Sequence, residues 1–207
     1  MIVKEQIVNQ AMLLFRQMGI RSVTMDMIAE QTGISKRTLY ENFSNKDELV
    51  EACVMQEIES RKEQAKRILE GSSHIIETYI LFMWDHINRL RGTSPLFIKD
   101  IQKLYPQSIC KQTNEFNNRM RENMKQFIIM GIKDGVFRKE INPDIASILI
   151  FEQIKVLHVE GGFETSPLSM FSPAEVFEHI SINFIRGIST SKGLELVDFY
   201  YSKHKMV

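Results

Sequence analysis

Four of the five prolines in this chain stand directly behind a serine or an asparagine, and three of these pairs, Ser94-Pro95, Asn142-Pro143 and Ser172-Pro173, open a stretch of helical apolar spacing. Proline lacks a backbone N–H and has φ fixed near −65°, so it suits the first position of a helix and hardly any later one. The Ser or Asn before it accepts from the free N–H groups of that first turn. Each pair therefore marks a helix start, and Glu175, three residues after Ser172, completes a capping box. Glycines mark the stops, with Gly19 following the first apolar stripe. Between these marks the apolar residues recur every three or four positions. Val3, Ile7, Ala11, Leu14, Phe15 and Met18 make one such stripe; Ile76, Ile80, Met83, Ile87 and Leu90 make another. The pattern predicts helices over about 3–18, 25–31, 36–42, 46–70, 76–90, 95–104, 109 to the "KDG" at 133–135, 143–160 and 173–189, and no strand. "LELVDFYYSKHK" near the end reads either as a helical stub or as a frayed tail.

The chain is therefore expected to be all-α. Its 207 residues suffice for one large domain or two small ones. Composition shifts near residues 45–50, where short helices give way to longer ones richer in Phe, Ile and Met. Two parts follow, 1–45 and 46–207. No apolar run reaches the ~20 residues that span a bilayer, and the first ten residues do not read as a secretion signal. A cytoplasmic protein with no membrane partner is the expectation. Cys53 and Cys110 make no disulfide framework and read as buried thiols. The five histidines have no partner at i,i+4, so no metal site is expected, nor any cofactor. No nucleophile motif or phosphate-binding glycine loop appears, which argues against an enzyme. Charge is balanced, 26 basic residues against 26 acidic, and six against six in the first fifty. A nucleic-acid function must then be argued from local pattern.

That pattern lies at residues 25–42. Two short helices joined at Gly33 describe a helix-turn-helix, with Met27, Ile28 and Ala29 facing inward from the first and Ile34 and Leu39 anchoring the second. A recognition helix enters the major groove with its N-terminal residues at base edges. Here those are Ser35, Lys36, Arg37 and Thr38. Arg and Lys reach guanine O6/N7, and Thr offers a hydroxyl or a methyl. Thr24 is placed to cap the first short helix and Lys46 stands where the fourth begins; free N–H groups at such ends attract phosphate. Phe43 is expected in the core. Tyr40, with a hydroxyl to satisfy, is expected at the edge against phosphate.

"TMDMIAEQTGISKRTLYENFSNKDELV" (24–50) resembles the DNA-binding domain of TetR-family transcriptional regulators. The spacing Tyr40-x-x-Phe43-x-x-Lys46 is its most specific part. The resemblance covers about residues 3–50. It implies Lys36, Arg37 and Thr38 as base readers and Thr24, Tyr40 and Lys46 as phosphate contacts on double-stranded DNA. Glu41 and Asn42 depart from it, since many relatives have an aromatic or basic residue there.

The resemblance further implies a C-terminal six-helix part that binds a small molecule and forms a homodimer on an inverted-repeat operator. In the eighth and ninth helices, Ile148, Phe151, Ile154, Phe177, Ile180, Phe184 and Ile188 are candidates for the dimer interface; a buried core is the other reading. Phe82, Met83, His86, Tyr105, Phe116, Met120, Met124 and Phe127 are candidates for an apolar pocket, although a Met/Phe stripe at helical spacing is more often plain core. Any effector there would be mostly apolar or aromatic. A ligand-released repressor is the leading expectation. The alternative is a DNA-bound adaptor on the same fold with no small ligand.

Overall fold

The computed structural model describes residues 2–104, 106–157, 163 and 165–205, and for residues 2, 98, 102 and 106–117 the backbone alone. Tyr105 and the side chain of Phe116 thus lie outside the described residues. Among the described residues ten helices run α1 (Ile2–Met18), α2 (Met25–Thr32), α3 (Lys36–Asn42), α4 (Lys46–Gly71), α5 (Ile75–Arg91), α6 (Pro95–Leu104), α7 (Pro106–Lys133), α8 (Pro143–Lys155), α9 (Pro173–Ile188) and α10 (Ser191–His204). A 3₁₀ turn, Pro167–Met170, precedes α9. Among the described residues there is no strand, only one isolated bridge between Phe137 and Ser189. Among the described residues no helix is long and apolar enough to cross a membrane.

The helix starts follow the caps. Thr24 accepts from the Met27 N–H, Ser35 from Thr38, and Asn142 from Asp144 and Ile145. Ser172 and Glu175 form the reciprocal box. At α4 the box is split: the Glu48 N–H donates to Asn45, but the Glu48 carboxylate accepts from the Ser44 N–H.

The chain divides into two compact units, Met1–Gln64 with Gly92–Gln112, and Ala65–Arg91 with Thr113–Val207. In the first, α1, α2, α3 and the start of α4 close on Ile7, Phe15, Ile20, Ile28, Leu39, Phe43 and Leu49, each nearly or fully buried. Burying each such side chain is worth roughly 1.5–3 kcal/mol, which lets helices of seven and eight residues persist. Met25 is buried; Met27, expected inward, is only half-buried. An eight-residue helix offers little more than one inward face, and Met25, Ile28 and Ala29 occupy it. Gly19 sits at φ +81°, and a Cβ there would lie 3.0 Å from Leu96 Cβ, so only glycine allows α6 this close. Asp100 on α6 accepts from the Arg21 N–H at 2.8 Å.

In the second unit, α5 is covered by α9 and α10, and Ile76, Ile80, Ile87, Ile128, Phe137, Ile185 and Val197 are its centre. The C-terminal stretch is a full helix, capped by Thr190, with Val197 and Tyr200 buried. Its core side is secured by a buried acid. Glu77 on α5 accepts from the Ser73 N–H and hydroxyl, from Lys203 Nζ at 2.8 Å and meets His204 Nε2 at 3.1 Å. Helix α8 ends at Lys155, with a turn at Val156 and Leu157; the expected end near residue 160 falls outside the described residues.

Candidate nucleic-acid interface

The turn between α2 and α3 is set by Gly33 at φ +71°, whose N–H and that of Ile34 return to Glu30 and Ala29. This fixes α3 against α2, with Leu39 and then Phe43 driven into the core. The opposite face of α3 goes to solvent. Ser35, Lys36, Arg37 and Tyr40 are exposed and Thr38 is half-buried. Tyr40, 51% exposed, makes no hydrogen bond among the described residues. The aromatic pair therefore separates by one helical turn into a core residue and a surface one.

The cations on this face are not bare. Lys36 Nζ donates to Asp26 Oδ2 at 2.6 Å, and that hydrogen bond raises the Lys36 pKa above its ordinary value. Arg37 Nε donates to Glu41 Oε1 at 2.8 Å, one turn on. Lys46 Nζ donates to the Val23 carbonyl at 2.6 Å. Partial burial pushes the Lys46 ammonium below its ordinary value, against the opposing pull of Asp100 and Asp47. The last bond brings the start of α4 to the residue just before the Thr24 cap. Thr24 and Lys46, 22 positions apart in sequence, thus belong to one corner. Arg21, which the sequence reading passed over, lines a hollow of about 410 Å³ with Lys46, Asp47, Ile20 and Leu104. Its signal was weak because nothing local marks it; its guanidinium pairs with Asp100, 79 residues away.

The remaining candidates lie in the second unit. Met83 is buried in the core, with Met124 and Phe127 packed against it; Phe82 and Met120 are half-buried. The His86 ring sits 4.2 Å from that of Phe177. Of the interface candidates, Phe177 and Ile188 are buried, Phe151, Ile154, Ile180 and Phe184 half-buried, and Ile148 exposed. Helix α8 is apolar on most sides, and a buried core was one reading of it. In the single chain it is not buried on most sides: Ile145 and Leu149 are more than half exposed and, with Ile180, Phe184, Phe171 and Ile188, line an open groove of about 910 Å³.

A capped helix pair with an exposed, polar second helix, in an all-α fold, is the arrangement of a helix-turn-helix domain. Residues 7–53 match the family described as bacterial regulatory proteins, tetR family. The chain is 22% identical over 146 residues to the HTH-type transcriptional repressor KstR2 of Rhodococcus jostii, covering 69% of this chain and 72% of that one. It is 28% identical over 194 residues to the uncharacterized HTH-type transcriptional regulator YvkB of Bacillus subtilis, covering 89% and 96%. Its fold matches the crystal structure of a putative transcriptional regulator from Saccharomonospora viridis in complex with choline, with TM-score 0.69, 18% identity, and coverage of 90% and 97%. Residues 7–53 thus form an N-terminal tetR-family domain, and the chain shares the fold of solved tetR-family regulators.

Proposed function

We propose that this regulator is a homodimeric repressor that places α3 in the major groove of each half of an inverted-repeat operator and is released by a small, mostly apolar molecule. The observation that carries the DNA part is the division of α3 itself. Leu39 and the Phe43 that follows are wholly buried, while Lys36, Arg37 and Tyr40 stand in solvent around a capped first turn. Lys36, Arg37 and Thr38 read base edges in this scheme, and Thr24, Tyr40 and Lys46 contact phosphate. The exposed apolar face of α8 and α9 supports self-association, since a patch of this kind on a lone chain is normally covered. A second copy related by a two-fold axis would cover it and set the two α3 helices one DNA turn apart, about 34–36 Å. Effector binding is supported by the choline in the related structure and by the adaptable Met/Phe packing around Met83, Met124 and Phe127. Residues 1–45 would then read DNA and 46–207 sense and dimerise.

The test is a titration of the protein against its own upstream region and against random duplex DNA at ~0.15 M salt. A preference of at least about a thousandfold, with one dimer per inverted repeat, is expected. Equal affinity for both DNAs overturns the reading.

A further inference from the structure

Resting on the DNA-reading head proposed above, we infer that Asp26 and Glu41 are affinity-limiting counterweights, each holding one DNA-facing cation of α3 so that the head binds DNA more weakly than its cations alone would dictate. Every candidate cation of this head has an internal acceptor: Asp26 for Lys36, Glu41 for Arg37, and the Val23 carbonyl for Lys46. Two of the six acids in the first fifty residues thus stand at ion-pair range on the reading face itself. Neither carboxylate reaches the core. Both pairs are exposed, with side chains 65% and 59% exposed for Lys36 and Asp26, and 88% and 57% for Arg37 and Glu41. Pairs so wet contribute little to stability and open readily. Their effect falls on binding. Phosphate attraction supplies the sequence-independent part of DNA affinity and scales with the number of cations given to the backbone. A lysine that must leave Asp26 to meet a phosphate exchanges one ion pair for another and gains little. The carboxylate left behind then sits well inside a Debye length of the DNA and is repelled. Glu41 is also one of the two residues that depart from the family resemblance, where a basic or aromatic side chain would add to attraction.

The relief on removing either carboxylate applies to any DNA sequence, because the pair is broken whether the cation goes to a phosphate or to a guanine. Two heads double it. A positioning role predicts the opposite: a carboxylate that aims Arg37 at a base would lower operator affinity when removed and leave random DNA unaffected. The two roles are separated by sign.

The experiment compares wild type, Asp26→Asn, Glu41→Gln and the control Glu59→Gln on random duplex DNA and on the upstream fragment, across a potassium chloride series. Glu59 is an exposed partner of Lys62 on α4, 13 residues beyond Lys46 or roughly 20 Å along the helix. Its removal changes the net charge equally. Asp26→Asn and Glu41→Gln should each tighten both DNAs by roughly two- to tenfold at ~0.15 M salt and steepen the salt slope by up to about two for two heads. Glu59→Gln should do neither, and thermal unfolding of all four proteins should coincide closely. Unchanged affinity, or weaker operator binding, overturns the inference. If wild type shows no operator preference while the two variants still tighten random DNA, the counterweights stand and the repressor reading falls. If no protein binds either DNA, both fall.

Discussion

Glu77→Gln removes one charge from the most buried acid of the second unit, and its consequence can be worked out donor by donor. The Glu77 side chain is 5% exposed and faces four groups: the Ser73 N–H at 2.8 Å, the Ser73 hydroxyl at 2.6 Å, Lys203 Nζ at 2.8 Å and His204 Nε2 at 3.1 Å. Burial alone would raise its pKa, but these hydrogen bonds together outweigh burial and hold the carboxyl well below its ordinary 4.5. Glutamine keeps one oxygen acceptor and turns an NH2 toward groups that also donate. Hydrogen bonds to a charged group are worth about 1.5–3 kcal/mol each. Lys203 is half exposed, so its share is discounted for solvent. The net loss should be about 2–3 kcal/mol, of which most loosens α10 from α5. The only tryptophan in the chain, Trp84 on α5, stacks on Tyr201 of α10 with ring centres 5.8 Å apart, so its fluorescence reports this contact. In urea the fluorescence midpoint should fall by about 1 M. A group with a depressed folded pKa stabilises fully above its unfolded value, and that contribution is lost as pH falls through the folded value. The gap between the two proteins should therefore be complete at neutral pH and close only in acid below the ordinary carboxylate range. A midpoint shift below about 0.2 M at pH 7, or a gap that stays open in acid well below the carboxylate range, refutes the account.

Gly193→Ala should destabilise by at least about 2 kcal/mol, because its Cβ would lie 2.1 Å from the Val136 carbonyl oxygen, a backbone atom that cannot swing away; thermal unfolding measures it. Ser172→Ala should cost about 1 kcal/mol through loss of the α9 capping box, read by the same assay. Burial pushes the Cys53 thiol up to about 12, and it donates to the Val8 carbonyl, so iodoacetamide at pH 8 should label its peptide at least ~100-fold more slowly in the native protein than in urea. Fast native labelling would contradict the closed core of the first unit. Arg37→Ala should weaken operator binding by about 1–3 kcal/mol and relax one operator position, whereas Lys46→Ala should weaken all sequences alike and flatten the salt slope by about one per half-site; competition binding with single-base operator variants separates the two patterns.

What could be read from the sequence was whatever is encoded within about one helical turn. Ser172, Pro173 and Glu175 specify a helix start with no help from the rest of the chain, and the structure places them as the spacing predicts. Tyr40 and Phe43 differ by one turn and by one hydroxyl, enough to expect one outside and one inside, as the structure has them. The misses share the opposite property. Lys36 meets Asp26 across a turn, Lys46 meets a carbonyl 23 residues back, and Glu77 meets partners 126 and 127 residues on. No local period encodes such pairs, so an acid that organises a core looks like any acid on a helix. Helix α10 was undecided for a related reason. Leu194, Leu196, Val197, Phe199, Tyr200 and Tyr201 crowd several faces at once, and only contact with α5 and α9 selects Val197 and Tyr200 as the buried ones. Helix α8 poses the same problem at a larger scale. Its apolar residues cover most of its circumference, and one chain buries only part of them. The hydrophobic effect is indifferent to which chain supplies the cover, so the sequence registers that a face must be buried without registering by whom. The residues proposed to face DNA are a different case, because the proposed partner is an external surface of known charge and groove width. Local spacing alone is then enough to nominate them.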